Sequence, residues 1–221
     1  MIAMQKPFND VYSRVAADYG VNVHPDVIAS AFPKLMKSLS ASDPCFGFNT
    51  IGPFEWWKRI VVGCLREGCS VQMDREKEDE IAQRLFNFYA TASAWRIIDP
   101  KLKSVLVQLR QNGLGVAVVS NFDARLRKIL EDLDLYSLFD IVITSGEVGV
   151  EKPSPRIFEM VLDHYHLNSA SQLLHIGDSF KNDYRGARYF GANALLFDPY
   201  STNQDVPCAD KIASFSELKI E

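Results

Sequence analysis

Leu173-Leu-His-Ile-Gly-Asp-Ser-Phe-Lys-Asn-Asp183 decides the fold. Leu173 to Ile176 form an apolar run too short for a helix and followed at once by turn-forming residues, which predicts a strand buried on both faces. Gly177 permits close approach of a neighbouring group. Two carboxylates, Asp178 and Asp183, follow, with a helix expected from about Lys181. Hard oxygen donors just beyond a strand suit Mg2+, although Asp178 capping the helix and Asp183 in solvent is the plainer alternative. His175, inside the strand, reads as a packed core histidine.

Three further stretches share this character: Gly115-Val-Ala-Val-Val119, Phe139-Asp-Ile-Val-Ile-Thr144 and Ala194-Leu-Leu-Phe197. Helical patterns over Asp123 to Leu133, Pro155 to Tyr165 and Lys181 to Phe190 supply the crossovers that parallel strands require. The expected fold is α/β, with a doubly wound parallel sheet, and ligands then bind beyond the carboxyl ends of the strands. After the first strand stand Ser120 and Asn121, a hydroxyl and an amide beside a helix start, which suit a phosphate oxygen. Taken alone, Ser120 and Asp123 read more simply as the strand-to-helix turn and a helix cap. After the second strand, Pro153 keeps Lys152 out of a helical conformation at the sheet mouth, where a lysine neutralises a transferring phosphoryl group or is simply solvated.

From Pro7 to about Trp95 the pattern is helical, so a helical unit is expected over 1–95 and the α/β core over 96–221. Pro25 and Pro53 suit first helical turns, Asp74 suits a cap, and Gly20 and Gly68 suit helix ends. The neighbouring Trp56 and Trp57 read first as helix core and second as substrate contacts. A net charge of -4 with interspersed signs offers no basic stripe, which argues against nucleic acid. No stretch approaches the roughly 20 apolar residues of a membrane span. Cys45, Cys64, Cys69 and Cys208 lack paired metal-ligand spacing and read as reduced thiols. A cytoplasmic protein is expected. A dinucleotide-binding reading rests only on Gly113-Leu-Gly115, which precedes its strand instead of following it.

Together, Val118-Val-Ser-Asn-Phe-Asp123, Glu151-Lys-Pro-Ser-Pro-Arg-Ile-Phe158 and Gly177 to Asp183 with Gly186-Ala187 resemble the second, third and fourth motifs of the haloacid dehalogenase superfamily, in order and in spacing. The resemblance covers nearly the whole chain. It implies that Ser120, Asn121 and Lys152 hold the phosphoryl group, that Asp178 and Asp183 form a Mg2+ site, and that the helices before Trp95 are a cap whose Trp56 and Trp57 face the substrate. Gly177-Asp178 favours a Mg2+-dependent phosphatase of a small phosphorylated metabolite over the metal-free dehalogenases of the same superfamily.

The first motif of that superfamily, Asp-x-Asp at the end of a central strand, has no match. Asp10 and Asp18 lie in helical surroundings, so neither is expected to serve as nucleophile. The resemblance puts that strand between those ending at Ser120 and Gly177, whose inner edges would otherwise lack partners. These residues are therefore expected to be inactive on their own and to belong to a shortened form of an active parent. The competing reading is a non-catalytic phosphate-binding or regulatory protein.

Overall fold

The computed structural model describes residues 1–69 and 73–219. A short strand, β1 (Ile2–Met4), leads into the N-terminal helices, called the cap below: α1 (Phe8–Ala17), α2 (Pro25–Ser42), the single turn α3 (Pro44–Gly47), α4 (Gly52–Gly68) and α5 (Arg75–Phe88). The expected punctuation is present. Pro25 and Pro53 occupy first turns, and the Asp74 carboxylate accepts from Lys77 N at 2.8 Å. Val11, Val15, Ile28, Trp56, Ile60, Leu65, Ile81 and Leu85 form one buried cluster from four helices. Each helix brings one apolar stripe, so none could bury it alone.

β2 (Trp95–Ile97) returns antiparallel to β1, with Ala3 opposite Arg96. Neither strand was expected, because three residues are too few to show alternation. The core then runs α6 (Leu102–Gln111), β3 (Ala117–Ser120), α7 (Arg125–Asp132), β4 (Ile141–Thr144), the turn α8 (Ser145–Val148), α9 (Pro155–Tyr165), β5 (Leu174–Gly177), a π-helical turn over Phe180–Arg185, α10 (Gly186–Phe190), β6 (Asn193–Phe197) and β7 (Lys211–Ile212). The helix expected from Lys181 thus opens as a π turn one residue earlier.

All core pairings are parallel: β3 with β4, and β5 with β6 and β6 with β7. Strand periodicity sends alternate residues to opposite faces. Val118, Val142, Ile176 and Phe197 meet α6 and α7, whereas Val119, Ile143 and Leu196 meet α9 and α10. This is the doubly wound arrangement.

The sheet is in two pieces. Among the described residues β3 pairs only with β4 and β5 only with β6. Between them lies a slot of about 520 Å³, lined by Ala117 to Val119 on one side, Leu174 to Ile176 on the other, and Met1. No described helix is long and apolar enough to cross a membrane.

Candidate active site

The carboxyl ends of β3, β4 and β5 gather the polar residues singled out by the sequence. Asn121 and Lys152 are locked by two bonds: Asn121 Nδ2 donates to Lys152 O at 2.9 Å, and Lys152 N donates to Asn121 Oδ1 at 2.8 Å. This exchange fixes the loop before α9 against the turn after β3, and the Lys152–Pro153 peptide bond within it is cis. The lysine side chain, 10% exposed, reaches Asp183 Oδ1 at 2.7 Å and donates to Val119 O at 2.6 Å. Val119 O is a strand carbonyl of β3, so the ammonium takes the place of a backbone donor there. The Ser120 side chain is half-buried beside Asn121.

Asp183 is 4% exposed and accepts from three directions. Lys152 is one, His175 Nε2 at 2.9 Å is the second, and the backbone N–H of Ser179 at 2.9 Å is the third. Burial opposes its ionisation, but the His175 hydrogen bond and the Lys152 charge outweigh it and hold the carboxyl far below the usual range. His175 itself is pulled down, by burial first and then by Lys152, against the raising effect of Asp183. A neutral ring donating its Nε2 proton to the carboxylate satisfies both directions. His175 also meets Phe158 edge-on at 5.2 Å. It is therefore more than a packing residue: it positions Asp183. Nothing in the local sequence distinguishes that role from a packed histidine.

Two glycines make the cluster possible by close approach. A Cβ on Gly177 would fall inside contact distance of Asp183 Cγ, and one on Gly186 would stand 2.9 Å from Pro153 Cβ. The Gly186 contact seats the Lys152 loop directly on α10.

Asp178, in contrast, is exposed at the end of β5. Two carboxylates that look alike in the sequence thus differ. Asp178 is exposed, whereas the carboxylate of Asp183 already accepts from a lysine, a histidine and a backbone donor. No group of three or more metal-binding side chains occurs among the described residues. Mg2+ uses one or two carboxylates with phosphate oxygens and water; the residues present fit that set only in part, through Asp178.

The two tryptophans also separate. Trp56 is 1% exposed and donates to Asp43 O at 2.8 Å among the N-terminal helices. One residue on, about 100° around the helix, Trp57 donates to Asp123 Oδ2 at 2.8 Å and joins the cap to the core. Asp123, 1% exposed, also takes Arg125 N at 3.0 Å, Nε at 2.8 Å and Nη2 at 2.7 Å. The bond from Arg125 N stands at the start of α7, although Ala124 holds the cap position there; the contact with Trp57 has no signal in the sequence. Asp10 lies exposed in α1, and Asp18 pairs with Arg84 at 2.7 Å. Asp10 stands in α1 and Asp18 directly after it, the helical surroundings that the sequence predicts.

A model of the haloacid dehalogenase-like hydrolases matches residues 10–191. The chain belongs to that family. Among relatives of this hydrolase, haloacid dehalogenase-like hydrolase domain-containing protein 3 of Bos taurus is 32% identical over 227 residues, covering 99% of this chain and 88% of that protein. The protein of the same name from Homo sapiens is 31% identical over 197 residues, covering 89% and 77% respectively. Similar solved structures include the HAD-hydrolase YfnB of Bacillus subtilis bound to magnesium, with TM-score 0.70 at 18% identity over 95% of this chain and 88% of that one. A HAD phosphatase from Thermococcus onnurineus has TM-score 0.62 at 19% identity, with 95% and 85% covered. A 2-haloacid dehalogenase from Pseudomonas syringae has TM-score 0.66 at 18% identity, with 97% and 90% covered. At these identities the structures share the fold of the hydrolase. They do not choose between phosphatase and dehalogenase.

Proposed function

We propose that this haloacid dehalogenase-like hydrolase is the cap and phosphate-holding part of a cytoplasmic Mg2+-dependent phosphatase of a small phosphorylated metabolite. The observation that carries the reading is the locking of Asn121 to Lys152 at the mouth of β3, beside Ser120 and in front of Asp183. Phosphoryl transfer requires positioning and charge neutralisation more than covalent chemistry from the protein. In this reading Ser120 and Asn121 donate to phosphoryl oxygens and Lys152 offsets their charge. Asp183 holds the lysine in place, and Asp178 serves as one Mg2+ ligand. A bound Mg2+ would supply further neutralisation of the phosphoryl group.

The same reading assigns the slot between β3 and β5 to a strand that ends in the nucleophilic carboxylate, a group that no described residue provides. Three features support this. The slot is flanked by two parallel strands with open inner edges, it is apolar, and Met1 lines it. The amino group of Met1 is lowered by burial and raised by the fields of Asp178 and Asp183. Because Met1 lines the slot, a strand joined directly before it would run there.

Without that strand, these 221 residues are expected to bind phosphate and not to turn it over. The test is hydrolysis of p-nitrophenyl phosphate with and without Mg2+. A rate indistinguishable from buffer is expected. A rate that rises with Mg2+ and disappears in Asp178→Ala would overturn the reading of the slot. Competition by inorganic phosphate for a bound ligand, weakened in Ser120→Ala, tests the phosphate site separately.

A further inference from the structure

We propose that a second cavity, between the cap and the mouth of β3, binds the organic part of the substrate, and that this part is an uncharged aromatic alcohol of one or two rings. The proposal deepens the phosphatase reading, because it names the ester whose phosphoryl end would lie at Asn121.

The cavity measures about 240 Å³. A dry engineered cavity of about 150 Å³ is large enough for benzene, so a fused two-ring group is within reach here. Tyr12, Trp57, Phe86, Tyr89, Trp95 and Phe122 are among the aromatic rings of its wall. These rings come from α1, α4, α5, β2 and the turn after β3, so the cavity exists only where cap and core meet. Phe122 ties it to the phosphate site: its Cα is about 3.8 Å from that of Asn121, as for any consecutive pair.

Two polar features narrow the ligand. Tyr89 Oη is buried and has no hydrogen-bond partner. Such a group carries an unmet desolvation cost that a ligand oxygen or nitrogen would remove. Arg125 also lines the cavity, its guanidinium 3.9 Å from the Phe86 ring centroid and anchored by Asp123 and by Phe86 O at 3.2 Å. Aromatic cages commonly hold quaternary ammonium groups. Here Arg125 is already neutralised by Asp123 and no carboxylate among the described residues lines the cavity to balance a cation, which leaves the neutral aromatic ring. Met4, 39% exposed, lines the rim and lies on β1, the strand that follows the slot.

Calorimetric titration of the full chain with inorganic phosphate, 1-naphthol and 1-naphthyl phosphate tests the proposal. Naphthyl phosphate is expected to bind at least about tenfold tighter than phosphate, and naphthol to bind on its own. Ala82→Phe, which fills the cavity, should weaken both naphthyl ligands at least about tenfold and leave phosphate unchanged. Met4→Trp obstructs the rim from a partly exposed position and gives the same reading if the buried substitution unfolds the cap. Naphthyl phosphate binding no tighter than phosphate, or undiminished in both variants, would overturn the proposal. Naphthol binding without phosphate binding would keep the cavity and remove the phosphatase reading.

Discussion

At position 183 a carboxylate buried to 4% exposure keeps its charge because a lysine, a histidine and a backbone N–H converge on it. Its pH consequences follow from the two shifts. The folded His175 value lies below the unfolded value of about 6.5, so the unfolded chain takes up that proton first. The contribution of His175 is intact above about pH 6.5 and is lost as pH falls. The folded Asp183 value is also depressed, so its contribution is present above the unfolded value of about 3.9 and is lost as pH falls through the folded value. The melting temperature should therefore drop in two stages on acidification. His175→Gln, which keeps a donor, should flatten the first stage alone; a profile parallel to the parent's would contradict this. Asp183→Asn strands the buried Lys152 charge and should cost about 3–5 kcal/mol at neutral pH by chemical denaturation. Gly177→Ala pushes a methyl into Asp183 and should cost about 1–3 kcal/mol; an unchanged urea midpoint would contradict the packing described. The sequence marked Asp178 and Asp183 as a pair, but it carried no sign of their different fates. The difference depends on Lys152 arriving from the loop before α9 and on His175 within β5.

The elements most legible in the sequence were those with a long repeating pattern. Apolar runs of four to six residues located β3 to β6 to within two residues of their ends, and helix caps located most of the cap boundaries. β1, β2 and β7 were not legible, since two or three residues show no period. The π turn at Phe180–Arg185 was hidden because its spacing departs from the helical one by a single residue. The tryptophan pair shows the same limit from the other side: adjacency in sequence said nothing about which ring faces α7. Trp57 couples α4 to the start of α7 through Asp123. Trp57→Phe keeps the ring contacts and removes that hydrogen bond, so it should destabilise by about 1 kcal/mol. In a urea melt this appears as a lower midpoint at an unchanged slope, whereas no shift would mean that the cap–core contact adds nothing to stability.

For the whole molecule, alternation of strands and crossover helices was enough to give a doubly wound core, because parallel strands admit few other connections. The division of the sheet into β4-β3 and β5-β6-β7 around an apolar slot follows from the same reading of motif order. The aromatic cavity at the cap–core boundary was not legible, since its wall is assembled from residues spread between Met4 and Arg125. In the proposed reading activity and stability both turn on the slot, since open strand edges in an apolar cleft leave backbone groups unpaired at about 1–3 kcal/mol each. The most direct measurement compares three proteins: the chain as it stands, the chain preceded by an apolar strand ending in Asp-x-Asp, and the same extension ending in Asn-x-Asn. Melting temperature and Mg2+-dependent hydrolysis of p-nitrophenyl phosphate are read for each. The account predicts that both extensions raise the melting temperature and that only the aspartate version hydrolyses the ester, with the activity lost in Asp178→Ala. Hydrolysis by the unextended chain that depends on Mg2+ and Asp178, or an aspartate extension that changes neither stability nor activity, would contradict it.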